Sequence, residues 1–203
     1  MAIASTFRAL SRARGARIFH PDGTAYAARW VVDDRAELPP IPLFERGADL
    51  DAIVRLSRGA GLPKALPDVL GLAVRVVALS QDLLLVTTPG GAPVLRRLLL
   101  PAWRYGGKWL STLVPFDAAG RRLVVGAHVD DHDPTRVRFT VAPPLGAWEP
   151  VATLLLGDEL PDDVQHELRF DPWHDGGGLR PVGVLNRLRA RAYPASQEGR
   201  PDT

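Results

Sequence analysis

Alternating apolar and polar positions recur through the middle of the chain. Short runs of leucine and β-branched residues are separated by glycine, proline and aspartate, which favour turns. The Pro-Asp-Gly sequence at 21–23 predicts a turn, and Ser80-Gln81 predicts a tight hairpin connection. Hairpin spacing indicates antiparallel pairing. Thr24–Val32 is aromatic and β-branched towards its end, and the pattern predicts strands at Ala52–Ser57, Leu70–Leu79, Asp82–Thr88, Arg121–Val129, Arg136–Val141 and Ala147–Leu156.

Helical patterns lie mainly towards the two ends of the chain. Residues 2–16 are amphipathic at helical spacing, and residues 182–193 are rich in arginine, leucine and alanine before Pro194 ends the pattern. The segment Pro93–Leu100 predicts a short helix between strands. Residues 161–180 predict an extended, glycine-rich connection.

The length and composition suit one folded domain. The chain has 203 residues, of which 46% are hydrophobic and 24% charged, so it can bury a substantial core. The expected fold class is α+β: an antiparallel β-barrel or sandwich with helices at the N- and C-terminal ends. We expect a single domain over residues 1–193 and a flexible polar tail over residues 194–203.

Cysteine and charge usage exclude several classes of protein. Cysteine is absent, which excludes disulfides, catalytic thiolates and thiolate metal sites. The net charge is +2, without the basic stripe and interleaved aromatic residues of a nucleic-acid module. No apolar run is long enough for a membrane span, and the N-terminal segment lacks the apolar region of a secretory signal. We therefore expect a cytoplasmic monomer or small homo-oligomer without a nucleic-acid partner.

Four segments carry a more specific signal. They read R-I-F-H-P-D-G at 17–23, V-R-L-S at 54–57, P-D-V-L-G-L-A-V-R at 67–75 leading into D-L-L-L-V-T-T-P at 82–89, and R-A-R-A-Y-P at 189–194. In this order they resemble the haem-binding core of the catalase superfamily. A reduced core of this kind is similar to its mini-catalase and allene oxide synthase-like members. The resemblance covers roughly residues 17–89 and 179–200, and it implies a catalase-like β-barrel.

The resemblance implies haem b as the cofactor and gives the motif residues their roles. Tyr193 would be the axial ligand of the haem iron, and Arg189, one helical turn before it, would favour the phenolate. His20 would transfer the proton of a bound peroxide, and Ser57 would orient its imidazole. The other haem-site residues that the resemblance implies are the propionate arginines Arg17, Arg55 and Arg200, with Val86 and Thr87 on the distal side.

One position departs from the family pattern. The distal asparagine of catalases falls at Val86, and the next residue is Thr87. Loss of the amide removes a donor to bound peroxide, so we expect weak or no hydrogen peroxide dismutation. Thr87 would replace it only if the strand register shifted by one residue, which flips a side chain to the other face. The expected function is a haem-dependent peroxidase or hydroperoxide-converting protein, with organic hydroperoxides favoured as substrates.

Two other interpretations stay open. The chain could be a non-enzymatic descendant of the same fold that binds haem or an apolar ligand. The sequence H-V-D-D-H-D at 128–133 clusters two histidines and three aspartates, which could ligate the metal of a hydrolase. Its position at the end of a predicted strand, just before Pro134, favours a solvated acidic turn instead.

Overall fold

Antiparallel strands form nearly all of the regular structure. The computed structural model describes residues 22–34, 38–59, 61–63, 65–90 and 92–182. One short helix, α1 (Asp162–Glu167), interrupts the strands, and single 3₁₀ turns lie at Pro42–Phe44, Val77–Leu79 and Leu95–Arg97. The strands are β1 (Asp22–Val32), β2 (Asp49–Arg58), β3 (Asp68–Val76), β4 (Gln81–Thr88), β5 (Pro101–Ala102), β6 (Trp109–Ser111), β7 (Phe116–Ala118), β8 (Arg121–Val129), β9 (Arg136–Ala142), β10 (Glu149–Glu159) and β11 (Leu179–Pro181).

Eight of these strands close into a barrel. The hydrogen-bonded order is β1–β2–β3–β4–β6–β8–β9–β10, and β10 pairs again with β1. The pairing of β10 with β9 is irregular between Pro150 and Ala152, and the pairing of β1 with β10 is irregular between Tyr26 and Ala28. Bulges of this kind increase the bending of a strand. The short strands β7 and β11 pair at one end of the barrel, and β5 pairs with the start of β3. Closure leaves these eight strands without a free edge.

The interior of the barrel is a packed apolar core. Val54 and Val74 face each other across β2 and β3, and both are fully buried. Trp30 of β1 contacts Phe139 of β9, two strands away around the barrel, with ring centroids 4.7 Å apart at 62°, and its indole N–H donates to the Leu43 carbonyl at 3.1 Å. Each such side chain contributes about 1.5–3 kcal/mol by burial. Because side chains fill the interior, a large ligand would have to lie against the outer surface of the barrel.

The structure confirms the predicted strands and the antiparallel barrel. Every predicted strand is observed, with ends shifted by a few residues. The predicted hairpin connection is a 3₁₀ turn that ends at Ser80, whose φ of 47° lies in the left-handed region, and Gln81 already belongs to β4. The short strands β5, β6, β7 and β11 were not predicted, since two or three residues are too few to show a period.

Three local predictions are corrected. Asp22 and Gly23 do not form a turn, because they pair with Arg58 and Ser57 as the first residues of β1. The predicted helix at Pro93–Leu100 is only a 3₁₀ turn, since the chain then leaves to pair with β3. The predicted extended connection at 161–180 contains α1, which begins after Pro161 with two aspartates that suit a helix N-terminus.

The helical part of the α+β prediction has little support in the described residues. Within the described ranges, α1 is the one α-helix, so this part of the chain is a β-barrel. The predicted helices at residues 2–16 and 182–193 lie outside the described residues, apart from Val182. The predicted limits of the domain and of the polar tail stay predictions.

Candidate functional site

Four of the residues in the second and third motifs share one outer surface of the barrel. Side chains alternate between the two faces along a strand, and Leu56, between Arg55 and Ser57, packs against the core. Arg55 and Ser57 therefore point outward from β2. Ser57 pairs with Gly71 of β3, and Gly71 pairs with Val86 of β4. We call the surface formed by Arg55, Ser57, Gly71 and Val86 the candidate face.

Arg55 is a partly buried cation on this face. Its Nε atom is shielded from solvent and has no hydrogen-bond partner among the described residues. The guanidinium lies over Gly23 of β1, where an added Cβ atom would come within 2.8 Å of Nε. Burial, and then the positive charge of Arg169, lowers the pKa of Arg55. An anion would stabilise a guanidinium in this setting, and a carboxylate matches its planar fork of donors.

Ser57 is held through its backbone by Tyr105, a residue that the sequence did not single out. The Tyr105 hydroxyl lies 2.8 Å from the Ser57 backbone nitrogen, the Ser57 carbonyl oxygen and the Gly71 carbonyl oxygen. It accepts the N–H and donates to a carbonyl, so it bridges β2 and β3 at the candidate face. The Ser57 side-chain hydroxyl lies 3.5 Å from the Gly71 carbonyl oxygen. Burial raises the pKa of Tyr105 well above its ordinary value.

Val86 and Thr87 lie on opposite faces of β4. Because Val86 pairs with Gly71, its side chain lies on the candidate face, where it is half-buried. Thr87 faces the interior and is fully buried. Its hydroxyl donates to the Leu100 carbonyl at 2.6 Å and accepts the Leu70 N–H at 3.0 Å. The register therefore does not bring Thr87 together with Arg55 and Ser57, and the catalytic role given to Thr87 stays a prediction without geometric support.

The remaining predicted site residues lie outside the described residues. His20 and Arg17 precede the described residues, and Tyr193, Arg189 and Arg200 follow them. Their roles as proton-transfer group, propionate partners and iron ligand stay predictions.

A buried carboxylate ties the segment after α1 to the outer surface of β3 and β4. The Asp82 side chain is fully buried and accepts two hydrogen bonds from Arg75, Nε at 2.7 Å and Nη2 at 2.6 Å. It also accepts the Asp171 backbone N–H at 2.8 Å and the His174 Nδ1–H at 3.0 Å. We call this group, made of Asp82, Arg75, Asp171 and His174, the Asp82 clamp. It fixes a segment that is distant in sequence beside the candidate face.

The acidic cluster at 128–133 is organised as a turn. The Asp130 carboxylate accepts the backbone N–H groups of His132 at 2.9 Å and Asp133 at 3.2 Å, and these bonds lower its pKa. His128 lies on β8 with its ring 5.0 Å from that of Trp109, and burial lowers its pKa. Within the described ranges, no three His, Asp or Glu side chains form a group that could hold a metal ion. The hydrogen bonds of Asp130 favour the turn over the metal site.

Other surface features lie apart from the candidate face. Two shallow grooves, of about 200 and 520 Å³, are found around Ile41 at the end of the barrel that carries β7 and β11, and neither includes a residue of the candidate face. The described part of the chain also contains no helix of the length and apolarity that a membrane crossing requires.

Comparisons with known proteins add no assignment. No protein-family model matches the chain, and no curated protein sequence matches it significantly.

Proposed function

We propose that this chain binds haem b against the candidate face and converts peroxides, as a reduced member of the catalase superfamily. The observation that carries the proposal is the setting of Arg55. Its guanidinium is partly buried, its Nε has no partner among the described residues, and it sits two residues before Ser57 on the same face. Haem carries two propionates, and buried carboxylates require partners of this kind. The residues present therefore fit the carboxylate end of the cofactor.

The other motif residues would complete the site. Tyr193 would hold the haem iron, with Arg189 favouring its ionised form, and Arg17 and Arg200 would join Arg55 at the propionates. Bound haem supplies ferric iron, which a phenolate ligand suits for peroxide chemistry. His20 would accept and return the proton of the peroxide at its imidazole.

Val86 bears on the substrate class. It is an apolar, half-buried side chain at the position where the family has an amide, and it shares the candidate face with Ser57 and Gly71. An apolar group there disfavours a small polar substrate, which would lose a hydrogen bond, and favours contact with an apolar substituent. Organic hydroperoxides are therefore the proposed substrates, in preference to hydrogen peroxide.

A second candidate function is non-enzymatic. The same substitution at Val86 favours a descendant of the fold in which the candidate face carries haem or an apolar ligand without turnover. The two candidates share a ligand site and differ in whether His20 performs chemistry.

The ultraviolet–visible spectrum of protein expressed with a haem precursor tests the proposal. We expect a Soret band with the features of a ferric, tyrosinate-ligated haem, and loss of those features in Tyr193→Phe. Tyr26→Phe is the matched control, because Tyr26 lies in β1 and should leave the spectrum unchanged. A protein that stays colourless after titration with haem would overturn the haem assignment.

Turnover separates the two candidate functions. Haem-loaded protein should consume cumene hydroperoxide faster than hydrogen peroxide, and His20→Ala should abolish this. His166→Ala is the control, since His166 lies exposed in α1. A haem-loaded wild type that consumes neither peroxide would leave the non-enzymatic function as the better conclusion.

A further inference from the structure

Arg169 lies in the segment that connects α1 to the Asp82 clamp. On one side, Gln165 of α1 accepts the Ala25 backbone N–H of β1 at 2.9 Å, and this contact docks the helix beside Gly23. On the other side, Arg75 Nη2 donates to the Arg169 carbonyl oxygen. The backbone at Arg169 is therefore fixed between the first residues of β1 and the outer surface of β3.

The side chain of Arg169 is also held, although by neutral groups. Its Nη1 donates to the carbonyl oxygens of His166 at 2.5 Å and Leu168 at 2.9 Å. No described acidic residue forms an ion pair with it. The side chain is exposed, and its other donors remain available to a ligand.

Arg55 and Arg169 are two cations on the same region of surface. Arg55 of β2 pairs with Ala73 of β3. The next outward-facing residue of β3 is Arg75, which donates to the Arg169 carbonyl oxygen. The lowered pKa of Arg55, caused first by burial and then by the charge of Arg169, agrees with this closeness. Arg75 and Arg29 differ from them, because each forms short ion pairs with aspartate. Two adjacent guanidinium groups without an acidic partner in the described ranges repel each other, and a bound anion would relieve that repulsion.

We propose that Arg169 is a binding residue that, together with Arg55, receives a carboxylate of the ligand on the candidate face. The inference deepens the proposed function and rests on it where the carboxylate is a haem propionate. A long-chain fatty acid would present the same chemistry, so the shared feature is a carboxylate joined to a large apolar body. Arg169 belongs to none of the four motifs, and only the docking of the α1 segment brings it to this surface.

Titration of the apo-protein tests the proposal by affinity, without relying on turnover. The probes are haem, haem dimethyl ester and oleate, and the variants are Arg169→Gln, Arg55→Gln and, as control, Arg121→Gln, which changes an exposed arginine at the start of β8. A charge-assisted hydrogen bond lost in Arg169→Gln should weaken haem binding about tenfold or more. Binding of the ester, which has no carboxylate, should be equal in wild type and Arg169→Gln.

The outcomes separate this inference from the proposed function. Haem binding that is weakened by Arg55→Gln but unchanged by Arg169→Gln would overturn the role of Arg169 alone. Equal weakening of haem and ester by Arg169→Gln would also overturn it, because the effect would then be structural. If haem does not bind but oleate does, and Arg169→Gln weakens oleate, the carboxylate site stands and the haem proposal fails. If none of the probes binds the wild type, both fail.

Discussion

Replacing Asp82 by asparagine should destabilise the fold by about 3 kcal/mol. The carboxylate is fully buried; Oδ1 accepts Arg75 Nε, and Oδ2 accepts Arg75 Nη2, the Asp171 N–H and His174 Nδ1–H. In asparagine one oxygen becomes an amide NH₂. The more favourable orientation of the asparagine amide keeps its oxygen at the Oδ2 position, where the three hydrogen bonds are retained, and places the NH₂ group against Arg75 Nε. Two donors then face each other at that position, and the three remaining hydrogen bonds are made to a neutral acceptor.

The magnitude follows from the burial of the pair. Breaking a buried ion pair by removing one partner costs about 3–5 kcal/mol. The lower end applies here, because the Arg75 side chain is 23% exposed and can recover part of its hydration. A change of this size is a large fraction of the stability of a typical domain.

Urea unfolding followed by circular dichroism and tryptophan fluorescence measures the loss, with the free energy extrapolated to water. Asp49→Asn is the matched control: its ion pair with Arg29, at 2.9 Å, is exposed to solvent, so its loss should lower the stability far less than Asp82→Asn does. A double-mutant cycle of Asp82→Asn with Arg75→Met should give a coupling energy of about 1–3 kcal/mol. A loss below about 1 kcal/mol for Asp82→Asn, or a coupling energy below about 0.5 kcal/mol, would refute the central role of this carboxylate.

Two further substitutions test other contacts. Tyr105→Phe removes the bridge to Ser57 and should lower the free energy of unfolding, measured in urea, by about 1–3 kcal/mol. Burial raises the pKa of Tyr105 in the folded state, so the stability contributed by its hydroxyl should be complete below pH ~10 and should decline as the pH rises towards the folded-state pKa. The stabilities of wild type and variant should therefore converge in alkali. Gly126→Ala would place a Cβ 2.7 Å from the Trp148 ring and should displace the indole, at a cost of about 1–3 kcal/mol and with a shift in tryptophan fluorescence. Gly157→Ala is its control, since the nearest atom lies at 3.4 Å, and an unchanged emission spectrum in Gly126→Ala would contradict the packing described.

Local sequence patterns predict the barrel well because its strands are long enough to show their alternation. The ten-residue strand β2, which reads D-L-D-A-I-V-R-L-S-R, repeats the period of two several times, whereas β6 has three residues and shows none. Gly23 shows a different limit. The Pro-Asp-Gly sequence indicates a turn, but the pairing of β1 with β2 requires a glycine there, because a Cβ would lie 2.7 Å from the Leu56 carbonyl oxygen.

Some residues of the candidate site can likewise be predicted from local sequence spacing, and others cannot. Spacing by two residues places Arg55 and Ser57 on one face from sequence alone, and the register between β3 and β4 then decides that Val86, rather than Thr87, joins them. Tyr105 lies 48 residues from Ser57, and no local signal connects the two. Such contacts depend on how loops pack after the barrel has closed, and single-sequence periodicity carries no information about that packing.

Stability and ligand binding should be linked through the Asp82 clamp. The segment that Asp82 anchors through Asp171 and His174 is the one that carries Arg169 to the candidate face. Asp82→Asn should therefore weaken binding of a carboxylate ligand as well as lower stability, although Asp82 itself is satisfied by protein donors. A ligand at a fixed excess concentration stabilises a fold more when it binds the folded state more tightly, so the same excess of haem should raise the unfolding midpoint of Asp82→Asn by less than that of wild type. An equal rise in both proteins would show that Arg169 reaches its position without the clamp, and the proposed link between the two sites would be wrong.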